Sequence, residues 1–550
     1  MATVDLPLGG APARRRLTLA AHHRVALLAT APTLPLYVVW ALFLATGGGD
    51  LAAQQAWARF AADHGASAYN LFWYGGMHTA NYSLISPYLM AELGVRPVTV
   101  VSGLAAAWLG AVHVARSEIS RPLAPAVLLS LALWCNVASG RTTFALGVAF
   151  GLGACVALGG RSGRGGPWRL ATAVVCGALA TMASPVAGLF LAVAGAGHLG
   201  ARDWRRAGAL LVPPAAVVGT TTLLFPFKGE QLMPLDRIWP PVLFCLALLV
   251  AGPRRWRVAR WAAATYAVGT VLTYLVPSPI GTNVERLAEL VAPAVLLAAL
   301  RTPGLTRLKV GVLVTGLLLS SAWVVKKTAD DLEVSTKVPT WASETHGVVT
   351  ELRRLGADRT RVEVIPARNH REATRLAPYV NMARGWNRQL DIERGRLFYD
   401  GTFSAATYRA WLDRWAVGFV VLPEGRPDGY AEQEAAFVRG GADYLEPVWR
   451  DAHWRVFRVR DAVPLASAPA SVVSSDGARV TVRFERAGTA TLRVAYSPWL
   501  KSEGGCLKVR KQERGEFTEL TATAPGTYRI GSNWESSPSP SGSGGGCGAR

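Results

Sequence analysis

Apolar runs recur along the chain as far as about residue 325, and they limit its fold more than any other feature. In hydrocarbon a chain must satisfy its own backbone hydrogen bonds, so an apolar run of about 20 residues is expected to cross as a helix. Eleven spans are expected, near 25–46, 97–115, 122–139, 142–159, 169–182, 185–200, 207–226, 237–252, 256–276, 285–301 and 309–325. Composition agrees, because 51% of the 550 residues are hydrophobic and only 17% are charged. The pair 169–182 and 185–200 is short and broken at Ser184-Pro185, which suits a helical hairpin. The stretch 83–95 is apolar but short and holds Pro87, so it is expected to be an interfacial or re-entrant helix within a long first loop, 47–96.

The net charge of +21 is distributed as membrane topology would distribute it. The expected inner segments hold Arg14, Arg15, Arg16, Arg116, Arg121, Arg161, Arg164, Arg169, Arg202, Arg205 and Arg206. They also hold Arg254, Arg255, Arg257, Arg260, Arg301, Arg307 and Lys309, eighteen in all. The outer segments hold six: Arg59, Arg96, Arg141, Lys228, Arg237 and Arg286. Short loops rich in Arg and Lys stay in the cytoplasm. The expectation is a multi-pass protein of the cell membrane with a cytoplasmic N-terminus and an extracytoplasmic C-terminal region. The membrane is its partner, and nucleic acid is not. The run after Arg16 is long enough to be a span rather than a cleaved leader.

Beyond residue 328 the pattern changes to alternating strands and charged helices. Arg361–Ile365 and Val417–Leu422 read as strands around a helix at Ala405–Trp415, and Val448–Val459 reads as a hairpin turning at Asp451-Ala452. The expected organisation is a cytoplasmic segment 1–24, a helical membrane domain 25–327, an α/β domain 328–465, a small β-sandwich 466–532 and a disordered tail 533–550. Four of the six cysteines lie in apolar runs, and a bridge between Cys506 and Cys547 is disfavoured. There is no repeat between the halves of the membrane part, and no Ser-His-Asp, P-loop or dinucleotide pattern.

The first loop carries the candidate chemistry. Asp50 follows the first span and a Gly47-Gly48-Gly49 turn. A carboxylate there can deprotonate an acceptor hydroxyl or hold a divalent cation, and it can equally cap a helix starting at Leu51. Asp63, next to His64, is either a second acid/base or metal group or a solvated helix end. Trp73, Tyr74 and His78 surround Gly75-Gly76. They read as a sugar-stacking cluster or as an interfacial aromatic belt. Glu285 and Arg286, beside Asn283, stand at the outer end of the tenth span, and Arg141 near Asn136 stands at another. An arginine there can hold a lipid-linked phosphate through paired hydrogen bonds or can snorkel to the interface. Residues 381–391, dense in polar and aromatic groups, suit carbohydrate contact, a lid over the membrane site or a packing loop.

A single inner segment, one span, a long outer loop opening on an Asp, about ten further spans and an outer C-terminal domain together resemble the GT-C fold of membrane glycosyltransferases. Segments 361–460 and 476–530 resemble the C-terminal domains of actinobacterial proteins of that type. The resemblance implies a polyprenyl-phosphate-linked sugar as donor and an envelope glycan or glycolipid as acceptor. It implies that the first-loop acid is the catalytic or metal-holding group, which by position is Asp50, with Mg or Mn as the cation. It also implies that an arginine at a late span, here Arg286, binds the donor phosphate. The family commonly shows two acids in that loop, whereas here Asp50 stands alone, with Asp63 thirteen residues on. Two other functions fit the same pattern of spans: a transporter, favoured by the broken helix pair, and a non-catalytic protein of envelope assembly.

Overall fold

The computed structural model describes residues 19–117, 119–159, 166–231, 233–503 and 506–535. The expectations for Arg14, Arg15, Arg16, Arg161, Arg164, Cys547 and the tail from Ser536 fall outside these residues. Each of the eleven expected runs is helical. The first, Ala20–Leu44, is irregular: Pro32 and Pro35 interrupt its hydrogen-bond ladder, and it closes in a π-turn at Trp40–Leu44. Among the described residues, four helices are long and apolar enough to cross a membrane: Ala20–Leu44, Val95–Arg116, Trp204–Leu224 and Arg307–Thr336. Shorter apolar helices stand at Leu123–Ala138, Thr142–Leu158, Pro167–Ala183 and Pro185–Gly200, and the remaining runs are at Trp239–Ala251, Arg257–Leu275 and Glu285–Leu300. The pair at 167–200 breaks where expected, because Ser184 is extended between the two helices.

Two boundaries differ from the sequence reading. The apolar stretch 83–95 divides at Gly94 (φ +84°). Its helical part, Ser86–Leu93, has 8 residues and spans about 12 Å, too short for a bilayer core of about 30 Å. The last long helix does not end near 325 but runs to Thr336. Its charged extension is held by ion pairs, including Lys326 to Asp330 at 2.6 Å one turn on.

The C-terminal region forms two sheet structures. Arg361–Val364 pairs in parallel with Val417–Pro423, which pairs antiparallel with Trp454–Val459 and through it with Leu445–Arg450. The Ala405–Arg414 helix lies between the two parallel strands in sequence and opens with a Ser404–Thr407 capping box. The sandwich has a sheet ordered 500–502, 526–532, 480–484, 470–475 and a second ordered 507–511, 517–522, 488–495. Val482, Phe484, Leu492, Val509, Leu520 and Ile530 fill the space between them. Cys506 is disulfide-bonded, against the sequence expectation.

The first loop is wedged between the helices and these two domains. Its short hairpin, Tyr69–Asn70 with Met77–His78, bonds directly to the sandwich: Leu71 N–H donates to Gly477 O and Ala495 N–H to Gly75 O. The loop and the C-terminal domains therefore lie on the same side of the helical layer, and they share one apolar core.

Candidate functional site

The turn before Asp50 depends on glycine. Gly47 has φ +93° and Gly49 has φ +61° with ψ −140°, regions that residues with a Cβ rarely enter. A Cβ on Gly48 would come within 2.7 Å of Ser335 O. Gly49 is the N-cap of the Asp50–His64 helix, so Asp50 is its first residue and not its cap. Its carboxylate is thus not spent on backbone N–H groups, and it accepts instead from Arg286. The C-terminal region holds the turn in place. Asn369 O accepts from Gly49 N–H at 2.8 Å, and Trp386 Nε1–H donates to Gly49 O at 3.0 Å. Arg371, buried, donates to Thr46 O, to Thr46 Oγ1 at 2.8 Å and to Ser335 O at 2.6 Å.

Around Asp50 the fold gathers a charged cluster from five chain segments. Arg286 Nη2 lies 3.4 Å and Arg141 Nε 3.9 Å from the same oxygen, Asp50 Oδ2. Arg141 also pairs closely with Glu289 and reaches Asp331 Oδ2 at 3.4 Å. Lys327 Nζ lies 3.8 Å from Glu285 and 4.0 Å from Glu289, and Arg237 lies 3.7 Å from Glu285. Four cations face four carboxylates. Exposure rises across the cluster from Arg141 at 6% through Arg286 at 21% to Asp50 at 34%. Asp50 is thus more accessible than the two arginines that face it. Arg286 is further restrained by the Phe144 ring, 5.5 Å from its guanidinium carbon.

Gln54 sets the approach of Arg141. One turn after Asp50, its side chain accepts from Thr142 Oγ1 and from Thr143 N–H at 2.8 Å and donates to Gly140 O at 3.1 Å. These bonds lock the turn that carries Arg141 against the loop helix.

The structure brings Asp50, Arg141, Glu285 and Arg286 into one cluster and leaves the other candidates out of it. Asp63 lies at the far end of a 15-residue helix, about 20 Å away, where it pairs with Arg59 at 3.3 Å in solvent. Trp73 and Tyr74 present no face for a sugar. Trp73 is packed against Trp57 and Phe72, and Tyr74 is buried with its hydroxyl donating to Asn387 O at 3.1 Å. His78 is buried between Tyr69 and Phe225, with Nε2 2.9 Å from Ser497 Oγ. Burial, reinforced by the Arg394 charge, holds its ring nitrogen down at about 4, so the ring is neutral at pH 7. The cause is shared: the C-terminal domains cover this part of the loop.

The 381–391 segment packs over the Asp50 turn. Arg384 pairs with Asp391 and Glu434 at 2.8 and 2.9 Å, Arg388 with Asp428 at 2.9 Å, and Trp386 bonds to Gly49. Sequence reading missed Gln54, Glu289, Lys327 and Asp331. Glu289 did leave a signal, since it repeats Glu285 one turn later in an otherwise apolar helix. Lys327 and Asp331 fell beyond the point where the last helix was expected to end.

A divalent cation does not fit this donor set. Of the four carboxylates, Glu289 and Asp331 are engaged by Arg141, Glu285 by Lys327 and Arg237, and Asp50 faces two guanidiniums. Among the described residues no three His, Cys, Asp or Glu side chains are grouped to hold a metal.

No family model matches the chain, and no curated protein matches it. Among solved structures it is similar to the cryo-EM structure of the arabinofuranosyltransferase AftD from mycobacteria, at 13% identity and a TM-score of 0.45, over 94% of this chain and 59% of that one. A mutant form of the same enzyme aligns at 13% identity and a TM-score of 0.43, over 93% of this chain and 61% of that one. The chain thus spans about three fifths of the length of the structures it matches.

Proposed function

We propose that this chain is a membrane glycosyltransferase of the GT-C type that moves a sugar from a polyprenyl-phosphate donor to an envelope acceptor on the outer face. The observation that carries the reading is the contact of Asp50 with Arg286 at 3.4 Å, with Arg141 at 3.9 Å from the same oxygen. Transfer needs a base for the acceptor hydroxyl and a cation for the departing phosphate, and these side chains supply both. The acceptor oxygen bonds to the anomeric carbon, the bond from that carbon to the phosphate oxygen breaks, and the hydroxyl proton passes to Asp50. The phosphate leaves with the bonding pair, and Arg286, backed by Arg141, meets its charge. Arg286 then serves two anions in turn.

The test is Asp50→Asn assayed with a labelled polyprenyl-phosphate sugar. General-base removal should cost a factor of about 10² or more in kcat, with expression and thermal unfolding as in the parent. Unchanged product formation in a well-folded variant would remove Asp50 from the reaction.

A further inference from the structure

The helices Leu123–Ala138 and Glu285–Leu300 pack side by side and antiparallel, and both of their ends carry arginines. At one end stand Arg141 and Arg286, each facing a carboxylate. At the other, about 24 Å away for helices of 16 residues, stand Arg121 and Arg301. The two turns that carry them are tied together by Ser120 Oγ–H donating to Arg301 O at 2.6 Å. Among the described residues, neither guanidinium has a carboxylate partner, and Arg301 Nε is buried without a hydrogen-bond acceptor. Both arginines open onto a groove of about 560 Å³ whose walls are aliphatic: Leu123, Val127, Leu128 and Leu131 from one helix and Leu297 from the other. Leu123 and Leu131 are 40% and 37% exposed there.

We infer that this groove is a binding site for an anionic phospholipid, with the phosphate on Arg121 and Arg301 and an acyl chain along the leucines. Three features select that occupant. Two guanidiniums without a carboxylate partner among the described residues call for an anion, and two planar forks suit a phosphate. The aliphatic walls offer no partner to a polar ligand, so a free anion would use only the mouth. The site stands at the end of apolar helices, the depth at which a headgroup meets its chains, and basic pockets between such helices are a known setting for anionic headgroups. A zwitterionic lipid has its own cation beside the phosphate and gains less from the pair. The site is separate from the Asp50 cluster, and its occupancy does not depend on the reaction proposed there.

The test uses the full chain, purified in mild detergent with phosphatidylglycerol and phosphatidylcholine supplied equally and retained lipid read by native mass spectrometry. Phosphatidylglycerol should be retained in preference. The double variant R121Q/R301Q should reduce that preference about 30-fold, from about 1 kcal/mol per arginine. L128W, which fills the groove and leaves both charges, should reduce it as well. Thermal unfolding and donor turnover should match the parent in each variant. Equal retention of the two lipids by the parent chain would overturn the inference, whatever the variants do. So would undiminished retention in R121Q/R301Q. Retention unaffected by L128W, or full displacement by inorganic phosphate, would reduce the site to a bare anion contact and end the lipid assignment.

Discussion

Arg286 Nη2 lies 3.4 Å from Asp50 Oδ2, across 236 residues of sequence. The pair joins the first residue of the loop helix to the first turn of the helix Glu285–Leu300, two elements that share no local sequence signal. Arg286→Gln should reduce kcat/KM for donor by about 10²-fold, the usual cost of losing one charge-stabilising group. Combined with Asp50→Asn, the losses should fall well short of additive, because each residue acts through the other. Fully additive losses in a double-mutant cycle would show that the two work independently.

Glu289 is the chief counter-charge of a buried cation. Glu289→Ala leaves Arg141, 6% exposed, without its closest partner. That should lower stability by about 3–5 kcal/mol. Glu289→Gln keeps a hydrogen-bond acceptor and should cost less. Thermal unfolding in detergent separates the two, and equal midpoints for both variants would mean that Asp331 and Asp50 already neutralise Arg141.

Arg371 reaches from the C-terminal region to close the turn that presents Asp50. Arg371→Met removes its donors from Thr46 and Ser335 while keeping an apolar stem. Amide exchange over residues 46–50 should accelerate, and kcat should fall more than KM changes, since the acid loses its position rather than the donor its site. Unchanged exchange would assign the rigidity of the turn to Trp386 and Asn369 alone.

His78 makes stability depend on pH. Its folded value of about 4 lies below the ordinary histidine value of about 6.5. As pH falls below about 6.5 the unfolded ring takes a proton that the folded ring refuses until about pH 4. Stability is therefore lost across that interval, by about 3 kcal/mol at most. His78→Gln should flatten this part of the profile of unfolding midpoint against pH. A profile identical to the parent's would place the acid sensitivity elsewhere.

The sequence by itself determined whatever depends on local pattern. Apolar run length determined the helices up to the last one, short runs of strand-forming residues marked the strands at 361–364 and 417–423, and the Gly-Gly-Gly-Asp order marked the turn at Asp50. Position at the ends of apolar runs was enough to single out Arg141, Glu285 and Arg286. Only the tertiary structure decided which candidates meet. Trp73, Tyr74 and His78 look like Asp50 in sequence, polar and aromatic groups in one loop, yet the C-terminal domains bury them and leave the acid accessible. Whether Asp50 caps its helix depends on one glycine at φ +61°, and whether its charge is balanced depends on arginines 91 and 236 residues away. Burial and ion pairing arise from contacts distant along the chain, and no local pattern encodes them.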